Sequence, residues 1–332
     1  MKSIQHLMVG TGLALSLLGG AQAAEPITIM VGGINKIIYL PAKLTEQLGY
    51  FKEQGLEVQL LSEPAGVNAE NEMLAGVVNG VVGFYDHTID LQSKGKEVES
   101  VVQFAKVPGE VELVSAKEAA TVKSAADFKG KTLGVTGLGS STDFLTQYMA
   151  IKAGVKQGEY VLLPVGAGNS FIASIQQGRI SAGMTTDPTV TQMLATGDAK
   201  ILADMRTEAG SQAALGGLYP AASLYMPTAW VNAHKAEVAK LARAFVKTMK
   251  FISTHSAEEI AAKMPVDYYG GDKARYVEAL KASQPMFTAD GRMPAGGPET
   301  VLKVLATFKP AVKNASIDLT KTYTTVFVDA AK

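Results

Sequence analysis

Lys131-Thr132-Leu133-Gly134-Val135-Thr136-Gly137-Leu138-Gly139-Ser140-Ser141-Thr142-Asp143-Phe144 reads as a buried strand that runs through a glycine turn into a helix start. The first N–H groups of a helix lack intrahelical acceptors, and the helix dipole adds partial positive charge there. With Ser140, Ser141 and Thr142 at capping positions, the segment suits a carboxylate, sulfonate or phosphate. The same residues also serve as an ordinary helix cap, and the rest of the chain has to decide between these two readings.

The unit recurs on both sides of this stretch. Short apolar runs alternate with amphipathic segments: a strand over 27–31, a helix over 40–48 stopped by Gly49, a strand over 56–61, a helix over 67–78 stopped by Gly80, and a strand over 81–84. Two strand-like pieces then flank Lys106-Val107-Pro108-Gly109, which reads as a crossing between lobes. The series starts again with a strand over 133–136, a helix over 144–153, a strand over 160–165, a helix over 171–177 and a strand over 180–184. Both series close with a helix-ending glycine, a strand and an aspartate (Gly80 and Asp86; Gly178 and Asp187), a weak internal symmetry. Such alternation predicts mostly parallel sheets covered by helices.

Residues 223–231 read as an extended second crossing, and the remainder reads as helical. The strongest helix, over 237–253, places Val238, Leu241, Phe245, Met249 and Ile252 on one face. Shorter helices follow around 258–263, 273–283 and 298–308. The expected organisation is a signal peptide over 1–23, lobe one over 24–110 and 226–332, and lobe two over 111–225.

The N-terminus has Lys2, an apolar run over 7–18 and then Gly19-Gly20-Ala21-Gln22-Ala23, the pattern of an export signal cleaved near Ala23. The run is shorter than the ~20 residues of a membrane span, so a soluble, exported, periplasmic chain without membrane insertion is expected. There is no cysteine, hence no disulfide framework and no lipid-modified first residue. Thirty-one basic side chains balance 31 acidic ones, which argues against a nucleic-acid groove. At 47% hydrophobic and 19% charged residues, the chain has ample material for a packed core.

Enzyme motifs fail. Gly130-Lys131-Thr132 imitates the end of a phosphate-binding loop, yet Ala125 stands where its first glycine belongs and a strand follows where a helix is required. Gly137-Leu138-Gly139-Ser140-Ser141-Thr142 approaches a dinucleotide fingerprint, but its third glycine is Thr142 and no acid closes the next strand. His87, His234 and His255 stand at no metal-ligand spacing, and no nucleophile elbow occurs. Neither a metal nor a cofactor is implied, and no catalytic residue is nominated.

In open α/β sheets, ligands lie beyond the carboxyl ends of the strands. That rule selects Gly33-Ile34-Asn35-Lys36, Glu63-Pro64-Ala65-Gly66 and Tyr85-Asp86-His87 in lobe one, and Ser140-Ser141-Thr142, Gly168-Asn169-Ser170 and Thr185-Thr186-Asp187 in lobe two. The candidate ligand-binding residues are Asn35, Lys36, Tyr39, Tyr85, Asp86, His87, Ser140, Ser141, Thr142, Asn169, Ser170, Thr186 and Asp187. The helix start is expected to hold an acidic group, with Tyr39 and Tyr85 against the organic body. For each residue a structural role (core, cap or solvated loop) stands beside the binding one.

Several segments together resemble a known family. Tyr39-Leu40-Pro41-Ala42 with 48–58, Asp127-Phe128-Lys129-Gly130-Lys131-Thr132-Leu133-Gly134-Val135 with 139–142, Gln176-Gln177-Gly178-Arg179-Ile180-Ser181-Ala182-Gly183, and Asp187-Pro188 follow the order found in periplasmic substrate-binding proteins of ABC importers. The resemblance is to the nitrate/sulfonate/taurine type, which includes binders of thiamine-pathway pyrimidines. Ser181 stands where that family often has an aspartate.

The resemblance implies a type II periplasmic-binding-protein fold, with two α/β lobes, each a mostly parallel sheet flanked by helices, and two crossing segments at the hinge. It also implies a non-enzymatic monomer that closes on one small organic anion and passes it to a transmembrane permease. A sulfonate, a carboxylate, a nitrate-like oxyanion, a zwitterion and a pyrimidine all stay open as ligands. The different-class alternative is an exported or family-related enzyme of small-molecule or pyrimidine metabolism on the same fold. A tethered sensory domain lacks its signalling segment.

Overall fold

A computed structural model describes residues 26–331; the expected signal peptide lies outside the described residues. Among the described residues, ten strands form two five-stranded sheets. The first contains β1 (Ile27–Val31), β2 (Val58–Ser62), β3 (Gly80–Phe84), β4 (Val98–Gln103) and β10 (Ala222–Pro227) in the order β2-β1-β3-β10-β4. The second contains β5 (Glu110–Ser115), β6 (Thr132–Val135), β7 (Val161–Pro164), β8 (Ala182–Thr186) and β9 (Ala199–Asp204) in the order β7-β6-β8-β5-β9.

The two orders correspond strand for strand. In each sheet three parallel strands are followed by one antiparallel strand, and that strand is the first the chain enters after a crossing: β5 beside β8, β10 beside β3. This corrects one expectation about the second crossing. Residues 222–227 are a ladder strand between β3 and β4, and the crossing is made by the residues before them. Their apolar run is buried on both faces, which is why it shows no strand alternation.

The two crossings are bonded to each other. Ala105 donates to the Ala222 carbonyl at 3.0 Å and Ala221 to the Ala105 carbonyl at 3.0 Å, while the buried Gln103 amide donates to the carbonyls of Ala105, Ala221 and Ala222. The hinge is thus a short hydrogen-bonded ribbon.

Helix Lys235–Thr254 buries Val238, Leu241, Phe245, Met249 and Ile252 in the lobe-one core, the face its periodicity indicates. Phe245 lies edge-on to Phe51 at 5.3 Å and against Phe104 at 4.9 Å. Helix Gly297–Phe308 behaves differently. Its Val301, Val304, Leu305 and Phe308 share a cluster with Phe144, Leu145 and Tyr148 of lobe two and with Tyr85 and Ile89 of lobe one. The C-terminal segment is therefore shared between the lobes rather than confined to the first. Among the described residues no helix is long and apolar enough to cross a membrane.

Candidate functional site

The carboxyl ends of the parallel strands of both sheets face each other, and the loops after them meet. Gly137 shows how closely. A Cβ added there would lie 3.0 Å from the Cβ of Ala65 and 3.3 Å from a methyl of Val67, and Gly139 beside it has φ +90°, a conformation that favours glycine. The glycines of the turn thus let the lobe-two loop press on the Ala65-Gly66-Val67 segment of lobe one.

Behind this contact is a small cavity of about 10 Å³, room for about one water. Lys36, Ile38, Tyr39, Gly66 and Phe84 wall it from lobe one, and Thr136, Ser140, Ser141, Thr142, Thr186 and Glu110, which opens a strand of the second sheet although the expected boundary put it in lobe one, from lobe two. At the mouth a more open cavity of about 320 Å³ runs between Gly33, Asn35, Glu63 and Pro64 on one side and Gly168, Pro188 and Thr189 on the other. The lobes stand closed. A cavity of about 530 Å³ around Lys96, Glu99, Thr228 and Asp318 lies at the far end of lobe one. None of its walls comes from the second sheet or the helices between its strands, and the small interlobe cavity is the better candidate.

The helix start that the glycine turn leads into is Ser141–Lys152 with Ser140 as N-cap. Its hydroxyls are all engaged. Ser140 Oγ accepts from the Val67 N–H across the cleft at 3.3 Å, Ser141 Oγ donates to Asp86 Oδ1 across the cleft at 2.8 Å, and Thr142 Oγ1 accepts from the Thr136 N–H at 3.0 Å. Two of the three thus join the lobes. The first-turn N–H groups of Ser141, Thr142 and Asp143 are those that a helix leaves without intrahelical acceptors.

Asp86 is fully buried at the start of helix Asp86–Ser93, and its Oδ2 accepts from Tyr219 Oη at 2.8 Å. Burial raises its carboxyl above the usual range, while His87, Ser141 and Tyr219 oppose this. His87 does not line the cavity but packs behind Gly66, with its Nε2 buried, unpartnered and 3.9 Å from Asp86 Oδ1. Its Nδ1 meets Tyr225 Oη at 3.1 Å and Glu70 Oε2 at 3.2 Å, and burial raises the Glu70 carboxyl.

Lys36 is buried, with Nζ donating to the carbonyls of Gly32 at 2.7 Å and Pro64 at 3.0 Å. Burial lowers its ammonium to about 8, against the opposing pull of Glu110. Tyr39 lines the cavity edge-on to Phe84 at 6.3 Å, and burial, then Glu110 and Asp86, raise its phenol. Thr186 lines the opposite wall with Oγ1 unpartnered.

Other expected residues sit elsewhere. Tyr85 lies in the core shared with the C-terminal segment, its hydroxyl 2.5 Å from Thr322 Oγ1 and its ring edge-on to Tyr323, so it does not line the cavity. Asn35 is exposed at the mouth. Asn169 and Ser170 are exposed at a helix start outside both cavities. Asp187 ties segments together: Arg206 at 2.9 Å, Thr191 at 2.7 Å and Ser283 at 2.8 Å donate to its carboxylate, and its carbonyl accepts from the Ile37 N–H of lobe one at 3.0 Å.

Sequence reasoning missed Glu110. This side chain opens β5, is 2% exposed, and has Oε2 without a hydrogen-bond partner. Burial, reinforced by Asp86 and opposed by Lys36, holds its carboxyl well above the usual range. On the same strand face Glu112 accepts from Thr146 Oγ1 at 3.0 Å, and burial lifts its carboxyl to about 8. Glu-Val-Glu-Leu alternation reads as a strand with one solvated face, whereas helices cover both faces here. Two acids within an otherwise apolar strand were the available signal. Among the described residues no three His, Asp or Glu side chains converge as a metal-binding set.

Comparison with known proteins follows this geometry. A solved structure from Bordetella bronchiseptica RB50 is 34% identical, covering 92% of this chain and 96% of that one, with a TM-score of 0.88. The alkanesulfonate-binding protein SsuA of Xanthomonas axonopodis pv. citri, bound to MOPS, is 18% identical, with coverages of 93% and 99% and a TM-score of 0.70. The periplasmic nitrate-binding protein NrtA of Synechocystis PCC 6803 is 13% identical, with coverages of 92% and 88% and a TM-score of 0.74. Among curated proteins, none matches by sequence. The family described as NMT1/THI5 like matches residues 39–259, and with the two-lobed periplasmic-binding-protein fold the chain belongs to that family.

Proposed function

We propose that the chain is the extracytoplasmic solute-binding component of an ABC importer, a periplasmic monomer that captures a small organic anion between its lobes and hands it to a membrane permease. The carrying observation is that the strand-end loops of the two lobes meet around one interlobe cavity, walled by five residues of one lobe and six of the other, which has room for about one water as the lobes stand and takes a solute only when they part. Ligand contacts from both walls exist only in the closed form, so binding shifts the open–closed equilibrium. The first-turn N–H groups of the Ser141–Lys152 helix suit the acidic group, and Tyr39, Ile38 and Phe84 suit the organic body.

Support also comes from the fold shared with proteins named for alkanesulfonate and nitrate binding, and from the N-terminal export pattern. The test is a set of thermal melts of the signal-free chain against sulfonates, carboxylates, amino acids and pyrimidines, with each compound assayed for consumption. A ligand at ~100 times its dissociation constant adds ~2.7 kcal/mol of stability. A stabilising compound recovered unchanged supports transport, and one that is consumed supports the enzyme alternative.

A further inference from the structure

The C-terminal segment is fastened to lobe one at both ends and reaches lobe two in between. On one side, at the end of β4, the Gln103 N–H donates to the Gly291 carbonyl and the Thr288 N–H to the Phe104 carbonyl, each at 2.8 Å. On the other side the Gln92 side chain pairs with the backbone of Asp318 at 2.7 and 3.0 Å, and Ser100 of β4 shares backbone bonds with Thr322 and Thr324 at 2.9 Å. Helix Gly297–Phe308 lies between these anchors. It starts against the second crossing, where a Cβ on Gly297 would lie 2.6 Å from the Pro220 ring, and it ends with the Phe308 ring 6.0 Å from that of Phe144 in lobe two.

Lys309 follows directly. Its ammonium lies 2.6 Å from Asp90 Oδ1 on the lobe-one helix Asp86–Ser93 and 3.6 Å from the centre of the Phe144 ring on the lobe-two helix Ser141–Lys152. Lys94 holds the other oxygen of Asp90 at 2.7 Å. Asp90 stands one turn beyond Asp86 and Phe144 one turn beyond Ser141, so the cation sits between the two helices just behind the Ser141–Asp86 bond that joins their starts. Asp90 and Phe144 are both buried, which strengthens the pull of the carboxylate and of the ring face on the ammonium. Because Lys309 is anchored with lobe one, any movement of the lobe-two helix away from Asp86 also draws Phe144 off the ammonium and off the apolar stripe of helix Gly297–Phe308.

We infer that residues 292–317 form an arm of lobe one that grips lobe two from outside the cleft, with Lys309 as its catch, and that this grip holds the lobes together before any solute enters. The arm acts on the ligand-free protein, so it belongs equally to a carrier and to an enzyme on this fold. Part of the free energy of closure then comes from outside the ligand site, and a bound solute supplies only the remainder.

The experiment is a distance measurement by electron paramagnetic resonance on the signal-free chain, dialysed free of solute. The sequence has no cysteine, so nitroxide labels on Asn35→Cys at the cleft mouth and Asn169→Cys, beside Gly168 across it, are the only ones attached. The labelled chain is compared with its Lys309→Met, Lys309→Arg and Asp90→Asn variants, and circular dichroism checks that each is folded. With Lys309 in place a population at the short distance of the closed form is expected. Lys309→Met is expected to lower the ratio of short to long distances at least threefold, Asp90→Asn to lower it as well, and Lys309→Arg to keep it within about twofold because the cation is retained. An unchanged ratio in folded Lys309→Met overturns the inference, and so does a fall in Lys309→Arg as large as in Lys309→Met, which assigns the effect to packing. A labelled chain with Lys309 that shows no short-distance population overturns it without any variant. None of these outcomes bears on whether a solute binds, which the thermal melts test separately.

Discussion

Ser141 Oγ donates to Asp86 Oδ1 at 2.8 Å, from the first turn of a lobe-two helix to the first turn of a lobe-one helix. The protein's own carboxylate thus takes one of the hydroxyls that suit an external anion. Asp86 has a second donor in Tyr219, so its charge is held from two directions once the lobes meet. Ser140 holds the N-cap position without a side-chain capping bond, and its hydroxyl, like that of Ser141, reaches the other lobe instead.

Ser141→Ala is therefore expected to loosen closure rather than to unfold a lobe. A hydrogen bond to a charged group contributes about 1.5–3 kcal/mol. The ligand-free variant should show a larger radius of gyration by small-angle scattering, with far-UV circular dichroism unchanged. An unaltered scattering profile would show that the bond does not bias the two forms.

Gly137→Val tests the contact between the loops. The added side chain meets Ala65 and Val67 only when the lobes are shut, so each lobe retains its own core. Expected are a scattering profile more open than wild type and at least a tenfold loss of affinity for any stabilising solute, with unfolding midpoints within a few degrees of wild type. Retained affinity would mean that the loops part without opening the cavity.

Arg206 is the only cation bonded to the buried Asp187 among the described residues. Arg206→Met leaves that carboxylate with the neutral donors Thr191 and Ser283, and breaking one side of a buried ion pair costs about 3–5 kcal/mol. Denaturant unfolding should read a loss of that size, and Asp187→Asn in the same chain should recover much of it. A loss under about 1 kcal/mol would contradict the account.

Lys36 gives a pH signature. Its folded-state ammonium is lowered to about 8 from an ordinary 10.5, so the unfolded chain binds the proton more readily. The resulting penalty is full below pH 8 and is relieved as pH rises from about 8 to 10.5, so this group makes stability increase with pH there. The whole effect is of order 3 kcal/mol. Relative to Lys36→Met, the wild-type protein should therefore gain stability between pH 7.5 and pH 10 in chemical denaturation. Parallel curves for the two would show that the ammonium is not desolvated as described.

The fold was legible wherever periodicity and glycine stops agreed. The face of helix Lys235–Thr254 and the strand–turn–helix at Thr132–Lys152 follow from spacing alone. Less legible was any residue whose role depends on the other lobe. Tyr85 follows a strand end, as the binding rule requires, yet packs against Tyr323 because the C-terminal segment covers that side. Glu110 carries no local sign of its setting, since the charges of Asp86 and Lys36 that bear on it are distant in sequence. Helix Gly297–Phe308 likewise shows its apolar stripe in sequence but not that the stripe serves two lobes.

The central claim is that one solute is held by both lobes at once, and the most direct measurement is calorimetric titration of the strongest-binding compound against wild type, Tyr39→Ala and Thr186→Ala. Tyr39 belongs to one wall and Thr186 to the other. The account predicts one site per chain and a loss of at least tenfold in affinity for each variant. Full affinity retained on removing either wall's residue would contradict it.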